Sequence, residues 1–316
     1  MPPRLIALDL DGTLLNSSGQ VSSRNRAALE LAQNSGVEIV ISTGRRHSFA
    51  MQALRDLGLK PRSAVISSNG AVIRALSSDL IHRSHLQLST ALWLCDYLND
   101  YRNGLVLTFD LTGPDGNDSR GALIVQNIDR IHSSIGRWMR ANRRYILQAN
   151  PIEEALQPGR ELPIQMMLCG PIEPMQRAEA HLVQHPRVIP VGDQELASEA
   201  SHAGDGDAEA ALHRTTYPET DLTLLDILPA GCSKASALGR LANLRGIGHE
   251  EIMAIGDNWN DLAMLRLAGE PALMCNAPED LRSLAIAKGW TLLPSNDHDG
   301  VATAIEAAFA GSGASK

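Results

Sequence analysis

Aromatic side chains are scarce in this chain of 316 residues: three Phe, four Trp and four Tyr make up 3% of it. An interior with so few rings must be filled by Ala, Leu, Ile and Val, which suits helices laid on a parallel sheet. Cysteine is sparse too. Cys95, Cys169, Cys232 and Cys275 show no Cys-x-x-Cys spacing, so buried reduced thiols are expected rather than a thiolate metal clip. No apolar run approaches the roughly 18 residues of a membrane span, and no apolar leader stands before Asp9. A soluble, cytoplasmic protein with no membrane partner is therefore expected. Basic residues are outnumbered, 28 Lys and Arg against 36 Asp and Glu, for a formal charge of −8. That balance argues against nucleic acid as a partner, because such binding neutralises phosphates with Lys and Arg.

What the chain does have is length for two domains and a hydrophobic fraction of 44%, enough for an ordinary core. Residues 1–83 alternate strand and helix: strand 4–9, helix 22–35, strand 37–42, helix 48–57, strand 63–67. The alternation resumes over 227–316, with strands at 251–256, 272–274 and 290–293 and a last helix over 301–309. Such alternation predicts an α/β fold with a parallel sheet covered on both faces. Residues 84–226 read differently. Apolar runs at 105–109 and 122–126 flank a turn-rich stretch from Thr112 to Asp118, as an antiparallel pair would. Further strands at 163–168 and 222–228 and helices near 89–101 and 173–184 complete an inserted α+β domain. Residues 197–221 show no period and read as a solvated loop, its His202, Asp205, Asp207 and His213 incidental. The 311–316 tail reads as disordered.

Four segments carry chemistry. Asp9-Leu10-Asp11-Gly12-Thr13 closes the first buried strand, at the end where ligands bind in open α/β sheets. Side chains at i and i+2 of an extended chain point the same way, so two carboxylates converge and call for a cation or a shared proton. A hard divalent ion such as Mg²⁺ suits that oxygen set. The competing reading is a capped turn. Thr43-Gly44-Arg45 follows the second strand just before a helix, whose N-terminus would offer unpaired N–H groups to a phosphate. Lys234 stands in the first turn of a helix, where the dipole disfavours a cation. It is either aimed at a phosphate or a solvated surface lysine. Gly256-Asp257-Asn258-Trp259-Asn260-Asp261 is another strand-to-helix junction. Asp257 and Asp261, four apart, exceed what capping needs; Asp257 is placed to join a metal and Asp261 to hold Lys234 or orient a ligand. Arg46, His47 and Trp259 remain open between substrate contact and simple packing or solvation. Cys232, two residues before Lys234, reads as a packing residue rather than a reactive one.

In order and wording these segments resemble the motifs of the haloacid dehalogenase (HAD) superfamily of aspartate-nucleophile phosphatases. Within it the chain is similar to the Cof-type subfamily with a type IIB cap. Ser68-Asn69-Gly70-Ala71, Asn276-Ala277 and Asp299-Gly300-Val301-Ala302 extend the likeness. The resemblance implies a HAD-like Rossmannoid parallel-sheet core (1–83 and 227–316) and an inserted α+β cap (84–226) that sets specificity. It also implies that Asp9 is the nucleophile, forming an aspartyl-phosphate, and that Asp11 is the general acid and base. Mg²⁺ would be held by the Asp9 carboxylate, the Asp11 carbonyl and Asp257, with Asn258 nearby. Thr43, Gly44, Lys234, Asn260 and the Leu10 N–H would grip the phosphate. The substrate implied is a small phosphorylated metabolite, a sugar phosphate or a flavin or nucleotide phosphate. Asp11 separates a phosphatase from a dehalogenase, since halide leaves without a proton and an alcohol does not. Phosphomutase action and a catalytically silent phosphate-binding module are the alternatives.

Overall fold

The computed structural model describes residues 2–131, 135–191 and 208–310. The chain divides into two compact units, Met1–His82 with Ser233–Lys316, and Arg83–Cys232.

The first unit begins with strand β1 (Leu5–Asp9), then β2 (Glu38–Ser42), β3 (Ala64–Ser67), β4 (Val72–Ala75) and β5 (Leu80–Arg83). Helices Ser23–Asn34 and His47–Leu54 connect the first three strands. The second unit contributes β6 (Leu105–Thr108), β7 (Leu123–Val125), β8 (Ile146–Gln148), β9 (Gln165–Gly170), β10 (Val188–Val191), β11 (Ala210–Tyr217) and β12 (Leu222–Pro229). The chain then returns with helix Lys234–Arg245, β13 (Ile252–Gly256), helix Leu262–Leu267, β14 (Glu270–Met274), helix Glu279–Ala287, β15 (Thr291–Leu293) and helix Gly300–Ala310.

The first unit's sheet runs β15-β14-β13-β1-β2-β3-β4-β5. It is parallel from β15 to β3, and β4 turns back antiparallel on β3. Burial on both faces explains the continuous apolar runs. Ile6 and Leu8 join one core cluster while Leu5 and Ala7 join the other, and Ile39 and Ile41 against Val40 repeat the split, as the two-residue period of a strand requires. β1 lies between β13 and β2, in register Leu8 with Ile255 and Asp9 with Ser42. The carboxyl ends of β1, β2 and β13, with the loops that follow them, therefore open on one edge of the sheet.

The second unit is a mostly antiparallel sheet in the order β10-β11-β12-β9-β6-β7-β8. Helices Leu88–Tyr97 and Ile172–Leu182 cover one face over Leu105, Leu107, Leu168, Leu225 and Ile227. The expected pairing of 105–109 with 122–126 is present as β6 with β7. One expectation needs correction. Residues 210–217 form strand β11, paired along its whole length with β12, and His213 within it is buried, so this part of the 197–221 stretch is sheet rather than solvated loop. His202, Asp205, Asp207 and the 311–316 tail lie outside the described residues. Strand β12 runs to Pro229, so the second unit ends at Cys232. No helix among the described residues is long and apolar enough to cross a membrane.

Candidate active site

Asp9 ends β1 as a buried residue. Beyond it Gly12 takes φ +79°, and a Cβ there would sit 2.3 Å from Asp257 Oδ2. Only glycine lets the first loop turn this close to the second. The turn brings in Thr13, whose hydroxyl donates to Asp257 Oδ1 at 2.8 Å. From the far side Asn276 Nδ2 donates to the Gly12 carbonyl at 2.9 Å.

Lys234 opens helix Lys234–Arg245, whose N-cap Ser233 accepts the Ser236 N–H on its hydroxyl and donates its own N–H to the Ser236 hydroxyl. The lysine is only 1% exposed. Its Nζ donates to Asp9 Oδ1 at 2.5 Å and to Asp261 Oδ1 at 2.6 Å. Two carboxylates thus offset the helix dipole that disfavours a cation there, and the solvated alternative for Lys234 is excluded. Asp261 in turn accepts the N–H groups of Asp257 and Asn258 on its Oδ2, both at 3.1 Å. It ties the loop after β13 to the lysine.

Asp9, Asp257 and Asp261 each present an oxygen within 4.8 Å of the others, and all three are buried. Three carboxylates around one ammonium leave negative charge unbalanced in a place that water screens poorly. Burial, then Asp261, push Asp9 well above the usual carboxylate range, against the pull of Lys234. Burial and Asp261 raise Asp257 to about 7. Burial alone would lower Lys234, yet Asp261 and Asp9 together hold it above its ordinary value. An oxygen-only donor set with excess negative charge fits a hard divalent cation.

Asp11 does not join this cluster. Its carboxylate turns to Arg45, Nε to Oδ2 at 2.7 Å and Nη2 to Oδ1 at 2.5 Å, as the chain leaves extended geometry at Leu10, and its charge still raises both Asp9 and Asp257. Asn258 uses its Oδ1 within its own turn, on the Trp259 N–H. Thr43 and Gly44 lie where β2 gives way to the next helix. The helix begins at His47 with Arg46 in the cap position, so both residues lie in the preceding loop. There the Thr43 N–H donates to the Ile66 carbonyl and its hydroxyl accepts from the Arg45 N–H. Leu10, between Asp9 and Asp11, is buried.

Asn69 was not singled out as a site residue. It holds φ +51° after Ser68 at +48°, conformations uncommon for residues with a Cβ. The Asn69 N–H donates to the Thr43 carbonyl, and its Oδ1 accepts from Asn260 Nδ2 at 3.4 Å. Asn69 so links the loop after β2 to the loop after β13. The run Ser68-Asn69-Gly70 carried the signal, but nothing in it says what Asn69 touches. Trp259 packs partly buried against the core. Burial raises the thiols of Cys95, Cys169 and Cys232 to about 12. Cys275, against expectation, is exposed.

A family model described as haloacid dehalogenase-like hydrolase matches residues 6–156 and 201–305. Among curated proteins the chain is similar to the phosphatase YwpJ of Bacillus subtilis (strain 168), 33% identical over 95% of this chain and 97% of that one. It is also 27% identical to the 5-amino-6-(5-phospho-D-ribitylamino)uracil phosphatase YwtE of the same organism, over 98% and 99%. Among solved structures, a haloacid dehalogenase-like hydrolase from B. subtilis aligns at TM-score 0.71 and 28% identity, covering 96% of this chain and 99% of that one.

Proposed function

Because the chain belongs to the haloacid dehalogenase-like hydrolases, as a phosphatase of the Cof-type branch, we propose that it hydrolyses a small phosphomonoester with Mg²⁺ through an aspartyl-phosphate on Asp9. The observation that carries this reading is the buried Lys234 held between Asp9 and Asp261, with Asp257 in the same cluster.

In the first step an Asp9 oxygen forms a bond to phosphorus. The ester P–O bond breaks with its electron pair on the alcohol oxygen, which takes a proton from Asp11. In the second step water attacks the same phosphorus and gives a proton to Asp11, and the Asp9 carboxylate is released with inorganic phosphate. Splitting one displacement into two lets a positioned carboxylate do what water does slowly. Lys234 has a third N–H beyond those given to Asp9 and Asp261, and it would meet a phosphate oxygen as charge redistributes. Thr43, Gly44, Asn260 and the Leu10 N–H complete the phosphate cradle, braced by Asn69. Mg²⁺, held by Asp9, the Asp11 carbonyl and Asp257 with Asn258 at its margin, would supply charge neutralisation for the phosphoryl oxygens.

The inserted unit, read as a cap of about residues 84–226, would choose the leaving group. Sugar phosphates and flavin or nucleotide phosphates are the proposed substrate classes, the second supported by the 27% identical relative, a 5-amino-6-(5-phospho-D-ribitylamino)uracil phosphatase. The cytoplasm is the proposed compartment. The test is a panel of phosphorylated metabolites assayed for inorganic phosphate with Mg²⁺. Accumulating phosphate that stops on chelation supports the reading. Isomerised substrate without free phosphate would replace it with a phosphomutase, and no turnover of any kind with a silent binding module.

A further inference from the structure

We propose that Arg45 is a positioning residue for the proton transfer, holding the Asp11 carboxylate in the one orientation from which it can serve a leaving-group oxygen. Arg45 acts here on the Asp11 of the proposed mechanism, and its role rests on that reading.

Asp11 is half exposed, its side chain 51% accessible, and a carboxylate so placed would ordinarily sample several rotamers. Arg45 removes that freedom. Its Nε meets Oδ2 and its Nη2 meets Oδ1, two parallel bonds that set the plane of the carboxylate as well as its place. Among the described residues no other side chain is hydrogen-bonded to Asp11. An ion pair this open to water adds little to stability, so positioning is the larger consequence of the contact.

Arg45 is itself fixed from three sides. Its guanidinium carbon lies 4.8 Å from the centre of the Phe49 ring, its N–H donates to the Thr43 hydroxyl at 3.1 Å, and its carbonyl accepts the Ser68 N–H at 2.8 Å. Ser68 begins the left-handed turn through Asn69 and Gly70. A Cβ on Gly70 would fall 2.2 Å from the Ser233 carbonyl, which seats the turn on the first residues of the Lys234 helix. The backbone of Arg45 is thus anchored to the loops proposed to cradle the phosphate, and the Phe49 ring backs its guanidinium. With both Asp11 oxygens engaged, one must be exchanged for the leaving group while Arg45 retains the other.

Leaving groups of different need separate this role from others. An alkyl phosphate requires protonation of a basic alkoxide, whereas nitrophenolate departs without it. In the first turnover, read by rapid quench before the water step in which Asp11 is base for every substrate, Arg45→Ala should slow alcohol release from an alkyl phosphate about tenfold or more, a part of what a general acid supplies, and nitrophenolate release from p-nitrophenyl phosphate less than about threefold. Arg45→Lys, a single-point donor without the fork, should recover part of the alkyl rate. Asp11→Asn is the reference for the reading beneath: it should show the same selectivity in stronger form. Equal loss of first-turnover rate on both substrates, a rise in KM with the first-turnover rate unchanged, or a faster first turnover in Arg45→Ala would overturn the role of Arg45 while Asp11→Asn kept its selectivity. Absence of selectivity in Asp11→Asn would overturn the acid itself. Should Arg45→Ala fail to fold, the same rate ratio measured in Arg45→Lys decides.

Discussion

The two units of the chain bury carboxylates on different terms. In the first, Asp9, Asp257 and Asp261 share one small volume, and the Lys234 ammonium reaches Asp9 and Asp261. In the second, each buried acid meets its own donor: Asp226 accepts from Gln165, Asp110 from Arg83 and Thr112, and Glu179 from Arg214. A satisfied acid specifies packing, whereas an unbalanced cluster at the carboxyl ends of parallel strands invites a ligand. The sheets account for the contrast. Parallel β1 and β13 deliver Asp9 and the Asp257 loop to one edge, while the mainly antiparallel strands of the second unit have no such common edge.

The largest effect expected lies in the unbalanced cluster. Asp9→Asn should bring phosphate release from an aryl phosphate below detection while the thermal unfolding transition persists; retained turnover would remove Asp9 as nucleophile. Lys234→Ala should fail in two ways. Its rate should fall on the order of 10²-fold, as when one transition-state donor is lost. Chemical denaturation should also show a loss of about 3–5 kcal/mol, because buried carboxylates are left without their cation. A stability change within error would mean that the cluster is not balanced by this lysine.

Mg²⁺ comes next in size. At about 100 times its dissociation constant it should stabilise the protein by about 2.7 kcal/mol, and should do so far less in Asp257→Asn, read by calorimetry. Equal stabilisation of both proteins would place the cation elsewhere. The smallest effect belongs to the second unit. There Arg102 donates to Glu153 in a half-buried pair, and Arg102→Met should cost about 1 kcal/mol or less and leave aryl phosphate turnover unchanged. A loss as large as that of Lys234→Ala would erase the contrast between the units.

The loops of the first unit were legible because each ends a buried apolar strand with residues that strands and helices do not need, as Asp9-Leu10-Asp11-Gly12-Thr13 does. Contacts across 200 residues were not. That Lys234 meets Asp9, or that Asn69 reaches Asn260, depends on chain crossings that no local pattern encodes. The grip of Arg45 on Asp11 lies past the end of β1, where the two-residue period of a strand no longer says which way a side chain turns. In the second unit β11 was missed since His213, Arg214, Thr215 and Thr216 break its apolar pattern. β10 was missed as a four-residue edge strand interrupted by Pro190, a position where proline is tolerated. β4 and β5 were overlooked because each is only four residues long, and Arg74, buried in β4, resembles a loop residue. The helix Glu279–Ala287 buries only Leu281 and Ala285, too thin a stripe to announce a period.

The nucleophile is tested most directly by acid-quenching the enzyme during turnover, reducing any acyl phosphate with borohydride and locating the product by peptide mass spectrometry. The mechanism proposed for this cluster predicts homoserine at residue 9 and at no other aspartate. An unreduced Asp9, together with inversion rather than retention of configuration at phosphorus, would contradict it.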